Sequence, residues 1–200
     1  MPAATIANLR DFTTEDTDTG AVRSVQTADL VLPESALAQI WSAQHLERLA
    51  RTYWRFLSRI TLGLVKVRYT QTRRFVVLIA RPFDLLTFLA PEYELDADHG
   101  IVRWRIERGL LVARRGHGGH GHLQIDVHRC GSEADGLARV HLEVEVANFH
   151  PAIASRLGRR IYKATQSRLH VFITHGFLRS LARLKLAESK VGRFSDDRVQ

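Results

Sequence analysis

The sequence predicts an α+β protein in which one curved antiparallel sheet wraps on a long C-terminal helix, with two short helices after the first strand. Three observations predict this class. A helical stretch follows the first apolar segment, seven segments with two-residue alternation fill the middle, and a second helical stretch comes last. The connections between the alternating segments are too short for crossover helices, so neighbouring strands are expected to pair antiparallel.

The chain of 200 residues is expected to hold one domain. Residues 1–20 are expected to be a disordered tail, because the stretch TTEDTDTG is polar and acidic and has no periodicity. The domain is expected to span 21–187, and 188–200 to form a flexible C-terminal tail. The first predicted strand, VRSVQTADLVL, ends at Pro33, and Glu34 then places a carboxylate in the first turn of a helix.

Two helices are predicted next, at 35–41 and 45–60. The second is amphipathic, and its apolar side holds Leu46, Leu49, Ala50, Tyr53, Trp54, Phe56, Leu57 and Ile60. Its opposite side holds Arg48, Arg51, Arg55 and Arg59.

Seven strands are predicted after Gly63, where the period changes to two. They span 64–72, 73–80, 85–95, 101–107, 109–115, 121–130 and 138–146. Three of them alternate cleanly between apolar and charged residues, which indicates a sheet with one face in water.

Residues 151–186 are predicted to be helical, with a kink or a second short helix near Gly176, where the apolar side changes phase.

Two segments carry a resemblance to a known superfamily. They are VRSVQTADLVLPESALAQIW, where a strand leads into a helix, and NFHPAIASRLGRRIYKATQSRLHVF, where the last strand leads into the long helix. The order resembles the START-like, or polyketide cyclase/dehydrase-like (SRPBCC), helix-grip superfamily over residues 22–186, although the second helix is longer and more basic than expected. The resemblance implies an apolar cavity between sheet and C-terminal helix, used for lipids, polyketides, aromatic compounds or hormones.

Arg168 stands out because it falls inside the apolar side of the C-terminal helix. Since an arginine keeps its charge, it needs a carboxylate of the sheet, an escape to water, or a bound anion. The last alternative would place it at a pocket wall, binding a ligand carboxylate or enolate. The residues predicted to line the pocket are Tyr53, Trp54, Tyr69, Arg81, Tyr93, Thr165, Arg168 and Phe172.

The expected function is binding of a small hydrophobic ligand that could carry an anionic group, such as a lipid, polyketide or aromatic acid. Aromatic side chains would form its walls, and arginines would orient the anionic group. Two alternatives stay open: a cyclase or dehydratase acting in the same pocket, and a basic protein that associates with an anionic membrane or nucleic acid. No cofactor is expected, and the protein is expected to be a monomer or homodimer.

Several functional classes lack their signatures. The sequence has no Walker loop, GxGxxG, GxSxG or HExxH, and no apolar stretch long enough for a transmembrane helix. Cys130 is its single cysteine, which excludes an intrachain disulfide and, with no signal peptide recognised, favours the cytoplasm. The run GHGGHGH at 116–122 offers three imidazoles to a metal, but its four glycines favour a mobile loop, so no metal is expected.

The positive charge is concentrated on the predicted helices. The chain has 29 Lys and Arg residues against 21 Asp and Glu, a net charge of +8. Such a field favours phosphates. The basic helix faces, however, carry no DNA-reading motif and no interleaved aromatics, so nucleic acid is disfavoured, while peripheral contact with an anionic membrane stays open.

Overall fold

A computed structural model of the chain describes residues 4–78, 83–132, 134–152, 173–181 and 186–187. Within them the strands are β1 (Thr5–Glu15), β2 (Val22–Pro33), β3 (Val65–Tyr69), β4 (Arg73–Leu78), β5 (Phe83–Leu89), β6 (Glu92–Leu95), β7 (His99–Arg108), β8 (His122–Ser132) and β9 (Leu137–Phe149). The helices are α1 (Glu34–Ile40), α2 (Ala43–Ile60) and α3 (173–181).

All nine strands belong to one antiparallel sheet. Its order is β1-β2-β9-β8-β7-β5-β4-β3, and β6 also pairs with β7. The sheet is not closed, since β1 and β3 lie at its two ends. The predicted α+β class and the antiparallel pairing are therefore confirmed.

The two predicted helices are confirmed as α1 and α2. Ser42 begins α2 as its N-cap, because its hydroxyl accepts the backbone N–H of His45. The apolar side of α2 is buried as the periodicity predicts, and its buried residues are Leu46, Leu49, Ala50, Tyr53 and Trp54.

The core lies between the inner face of the sheet, α2 and α3. Trp54 packs edge-on against Trp104 of β7 at 5.1 Å between ring centroids and lies 5.4 Å from Phe88 of β5. Tyr53 contacts Phe177 of α3 edge-on at 5.2 Å. These edge-to-face contacts add to the burial of large apolar surfaces.

The N-terminal residues correct the prediction of a disordered tail at 1–20, because β1 forms a hairpin with β2. The polar stretch forms the turn, in which the Asp16 carboxylate accepts the backbone N–H groups of Asp18 and Thr19 at 2.9 and 2.7 Å. The strand itself is mostly exposed, and it is held by backbone pairing along β2. Hydrophobic patterning does not detect a strand that buries little side-chain surface.

Two predicted strands are also wrong in detail. The segment predicted at 85–95 forms two strands, β5 and β6, separated at Pro91, which cannot donate a hydrogen bond to a ladder. The segment predicted at 109–115 is a turn followed by a short 3-10 helix. It begins at Gly109, where the backbone passes so close to β5 that a Cβ would lie 2.4 Å from the Leu85 carbonyl oxygen.

Only the end of the predicted C-terminal helix lies within the described residues. Residues 173–181 are helical without a break at Gly176. Phe177 and Leu178 are fully buried and Leu181 nearly so, so this side of α3 faces the core. Most other residues of the predicted long helix, and the C-terminal tail predicted at 188–200, lie outside the described residues. No helix within them has the length and apolarity that crossing a membrane requires.

Candidate functional site

An apolar cavity of about 80 Å³ lies between the α1–α2 pair, the inner face of the sheet and the end of α3. Its walls come from α1, α2, five strands and the end of α3, although these elements are far apart in sequence. The described residues that line it are Leu30, Leu37, Ile40, Trp41, Ser42, His45, Leu46, Leu49, Leu95, Gly100, Val127, Val140, Leu142, Leu181 and Leu186.

The floor of the cavity depends on a glycine of β7. A Cβ at Gly100 would lie 3.2 Å from Cδ1 of Leu95 and 3.6 Å from Cδ1 of Leu46. Any side chain at this position would therefore crowd the two leucines and reduce the volume of the cavity. At the rim, the Trp41 indole N–H donates to the backbone carbonyl of Asp96 at 2.9 Å, which fixes the ring between α1 and β6. The cavity is therefore bounded by side chains that are held in place.

Ser42 and His45 are the polar residues of this lining. The Ser42 Oγ lies 2.8 Å from Nδ1 of His45, and Nε2 of His45 lies 3.1 Å from Nη1 of Arg48. A guanidinium can only donate, so Nε2 must accept and the proton resides on Nδ1. His45 thus donates to Ser42, whose hydroxyl accepts both this bond and the backbone N–H at 3.3 Å.

Both hydrogen bonds from His45 end on the Ser42 oxygen, so neither of them uses the hydrogen of the Ser42 hydroxyl. A hydroxyl has two acceptor positions and one donor, and both acceptor positions are filled here. Burial, followed by the charge of Arg48, lowers the pKa of His45 below its ordinary value, which keeps the imidazole neutral near pH 7. The cavity therefore offers an incoming group one hydrogen-bond donor, the Ser42 O–H, on an otherwise apolar wall.

A polar cluster lies beside the cavity along α2 and β6. We name it the Arg51 cluster, and it consists of Glu47, Arg51, Tyr69, Arg74 and Tyr93. The guanidinium carbons of Arg51 and Arg74 lie 5.6 and 5.2 Å from the centroid of the Tyr69 ring. Burial and the Glu47 carboxylate raise the pKa of Tyr93 to about 12. Burial also raises the pKa of Tyr69, so both phenols are neutral, and the two arginines exceed the single carboxylate by one charge.

Arg51 has donor capacity to spare within this cluster. Its Nε is buried and has no hydrogen-bond partner among the described residues, and Oε1 of Glu47 is 3.8 Å away. The second carboxylate oxygen of Glu47 is likewise buried without a hydrogen-bond partner in the described part. Buried polar groups in proteins are nearly always hydrogen-bonded, so this position favours an additional polar group.

The predicted pocket residues divide into three sets. Tyr53 and Trp54 belong to the aromatic core and do not line the cavity; burial raises the pKa of Tyr53 to about 12. Tyr69 and Tyr93 come together in the Arg51 cluster. The other four, Arg81, Thr165, Arg168 and Phe172, lie outside the described residues.

Ser42 and His45 are absent from the predicted pocket residues, although the sequence carries a signal for Ser42. Serine followed by an apolar helical pattern is typical of an N-cap, and an N-cap side chain stands at the start of its helix. The helix begins at the cavity, so its cap faces the cavity too. The helix start predicted at His45 is close enough to indicate Ser42 as the cap, whereas the cavity beside this cap is visible only in the structure.

The glycine and histidine run does not assemble a metal site among the residues that the structure describes. No group of three His, Cys, Asp or Glu side chains in that part of the chain is placed to hold a metal ion. The run passes through a turn, with Gly118 and Gly119 at φ of +96° and +85°. Its imidazoles face different surroundings, and His122 lies 3.5 Å from Glu145.

Comparisons with known proteins add little to this geometry. No protein-family model and no curated protein matches the chain. An uncharacterised protein of known structure from Rhizobium leguminosarum is similar over 79% of this chain and 98% of its own, at 17% identity and a TM-score of 0.29. Similarity at this level carries no argument about fold or function, so only the geometry of the site bears on what the chain does.

Proposed function

We propose that this chain binds a small hydrophobic ligand in the cavity between α1, α2 and the sheet, as a START-like helix-grip protein. The single observation that carries the proposal is the cavity itself. Its described lining is apolar except for Ser42 and His45, and it presents one orienting hydroxyl. Ligand sites in proteins commonly combine apolar walls with a few placed polar groups.

The topology supports the helix-grip part of the proposal. Two helices separate β2 from β3, and the last strand, β9, returns to pair with β2. The sheet therefore brings its first helix-flanked strand and its last strand side by side, and α1 contacts both. The strand β1 is an addition at the β2 edge.

The dimensions of the cavity restrict the ligand. A volume of about 80 Å³ is below the range of about 300–1,000 Å³ that whole drug-sized ligands occupy. The cavity in this state therefore suits the apolar end of a ligand, such as a short alkyl chain or one ring. An oxygen at the head of that group would accept the Ser42 O–H.

An anionic group on the ligand would find its partner in the Arg51 cluster. The buried Nε of Arg51 has no hydrogen-bond partner in the described part and only a 3.8 Å ion pair with Glu47, and charge-assisted hydrogen bonds to carboxylates are among the stronger ones in proteins. Glu47 follows the lining residue Leu46 on α2, and Tyr93 lies two residues before Leu95 on β6, so the cluster continues the lining segments of both elements. The proposal therefore includes ligands with a carboxylate at one end.

The cyclase or dehydratase alternative requires two titratable groups that face each other across the cavity. Among the described lining residues the candidates reduce to Ser42 and His45, and there His45 donates to Ser42 and cannot act as its base. Ligand binding is the function that this arrangement favours.

Native mass spectrometry of the purified protein tests the proposal. We expect a population whose mass exceeds that of the chain by a small organic ligand, because an apolar cavity with one donor retains such molecules. The variant Val127→Phe fills the cavity from β8 and should lose the added mass. The control Val31→Phe adds the same side chain on the opposite face of β2 and should keep it. Equal retention by both variants would refute the proposal.

A further inference from the structure

The turn that follows α2 exposes a leucine in an unusual conformation. Leu62 is 91% exposed and has φ of +52°, in the left-handed region that favours glycine. The turn is a Schellman motif, with Gly63 N–H bonded to Ser58 O at 2.8 Å and Leu62 N–H to Arg59 O at 3.1 Å. Leu62 therefore occupies the position where helices commonly place glycine or asparagine, without burying its side chain.

The turn is held firmly despite its exposure. Thr61 donates its hydroxyl to the Leu57 carbonyl at 2.9 Å and accepts the Val65 N–H at 3.3 Å. A second apolar residue, Leu64, is 57% exposed beside Leu62. Two leucines are thus presented to solvent on a hydrogen-bonded turn.

Positive charge surrounds the two leucines. Arg55 and Arg59 are exposed on the last turns of α2, and Lys66 and Arg68 are exposed on β3, where they alternate with half-buried residues. Among the described residues, none of these four cations lies within salt-bridge distance of a carboxylate. The surface of Arg55, Arg59, Leu62, Leu64, Lys66 and Arg68 is named the basic tip.

We propose that the basic tip docks on an anionic lipid bilayer, with Leu62 and Leu64 entering the interface and the four cations contacting lipid phosphates. Apolar residues ringed by cations fit the boundary between acyl chains and anionic headgroups. The proposal does not rest on the cavity and concerns a different surface.

Two other occupants fit this surface less well. A nucleic acid would use the cations but gains nothing from two exposed leucines, since single strands are bound through stacking on aromatic side chains. A second copy of the chain, joined by two-fold symmetry, would bring the same four cations against one another. Charge complementarity therefore favours the lipid surface.

Sedimentation with vesicles tests the proposal on the full chain. We expect binding to phosphatidylcholine vesicles that contain about one-quarter phosphatidylglycerol at about 0.1 M salt, and much weaker binding to phosphatidylcholine alone. Leu62→Asn should reduce partitioning by about tenfold or more, because it removes the inserted side chain. The same variant should not lower the melting temperature, since asparagine tolerates the left-handed conformation better than leucine.

Charge is tested with a matched pair of double variants. Arg59→Gln with Lys66→Gln should reduce partitioning by about fivefold for each cation removed. Arg114→Gln with Arg115→Gln removes the same charge from another exposed segment and should have a much smaller effect. The proposal is overturned if both double variants bind vesicles alike, or if Leu62→Asn binds vesicles like the wild type. It is also overturned if the wild type proves to be a dimer that Leu62→Asn dissociates. Tight binding of an oligonucleotide in place of vesicles overturns it as well.

Discussion

Ser42 joins the start of a helix to the candidate site. Its hydroxyl accepts two bonds from His45, one from the backbone that caps α2 and one from the imidazole. Arg48 fixes the direction of the second bond, because it donates to the other ring nitrogen of His45 and, through Nε, to the Ala187 carbonyl at 2.9 Å. The Ser42 hydroxyl can therefore donate its hydrogen to an acceptor on a ligand in the cavity.

Separating the two roles of Ser42 gives a residue-scale prediction. Ser42→Ala removes both, and we expect it to cost about 1 kcal/mol of unfolding free energy and about tenfold in ligand affinity. Ser42→Asp keeps an N-cap acceptor but has no hydroxyl donor. We expect near-normal stability and the same loss of affinity, measured by urea unfolding and by calorimetric titration with a straight-chain methyl ketone, which can only accept a hydrogen bond.

The two variants distinguish a ligand contact from a purely structural serine. If Ser42 only caps the helix, Ser42→Asp will bind the ketone as the wild type does. That outcome would remove the hydroxyl from the site while leaving the cavity in place.

Residue roles are the part of the site that sequence predicts least well. The sequence predicts Tyr53 and Trp54 as aromatic pocket walls, yet they pack into the core, because helical periodicity identifies a buried side without saying what covers it. Tyr69 and Tyr93 do meet, but at the Arg51 cluster beside the cavity. Ser42 was missed because its cap role gives no indication of a neighbouring cavity.

At the scale of elements, one carboxylate ties three strands together. Asp29 of β2 accepts a hydrogen bond from Asn8 of β1 at 2.6 Å and lies 2.7 Å from Nδ1 of His141 on β9. Burial acts to raise the pKa of Asp29, but the hydrogen bonds from Asn8 and His141 and the charges of His141 and Arg139 outweigh it. The pKa therefore lies below its ordinary value.

This depressed pKa predicts a pH dependence of stability. The contribution of Asp29 is fully present above its unfolded-state pKa of about 3.9 and is lost as the pH falls through the folded value. We expect Asp29→Asn to lower the unfolding free energy at pH 7 by about 1–3 kcal/mol. The difference from the wild type should shrink below about pH 4. Urea unfolding across this range checks the expectation, and a difference that persists unchanged to the most acid conditions contradicts it.

The elements with strong periodicity were predictable, and the others were not. The amphipathic side of α2 and the alternation of β7, β8 and β9 gave these elements to within a few residues. The strand β1 was not predictable because backbone pairing with β2, rather than side-chain burial, holds it in place. The break at Pro91 and the close approach at Gly109 depend on neighbouring strands that local sequence does not specify.

At the scale of the whole molecule, the cavity is a product of topology. Leu37, Gly100 and Leu142 meet there although about sixty and forty residues separate them along the chain. The resemblance to the helix-grip superfamily implies an apolar cavity between sheet and C-terminal helix, and the hydrophobic ligand class that it implies stays a prediction. The sequence could not place the cavity, because its walls are set by pairing between distant strands.

The structure distributes the cations of α2, which contribute to the net charge of +8, over two different surfaces. Arg48 and Arg51 were predicted to lie on the outward side of α2, but they turn toward His45 and Glu47 beside the cavity. Arg55 and Arg59 do stay exposed, and they join two leucines at the basic tip. One helix therefore contributes cations to two different surfaces.

Calorimetric titration of the protein with straight-chain primary alcohols of increasing length tests the ligand site in the cavity most directly. We expect affinity to rise by about fourfold for each methylene until the cavity is full, and then to stop rising. Val127→Phe should reach this limit at a shorter chain and bind about tenfold more weakly, while Val31→Phe should match the wild type. An affinity that rises without limit, or variants that cannot be distinguished, would contradict a ligand site in this cavity.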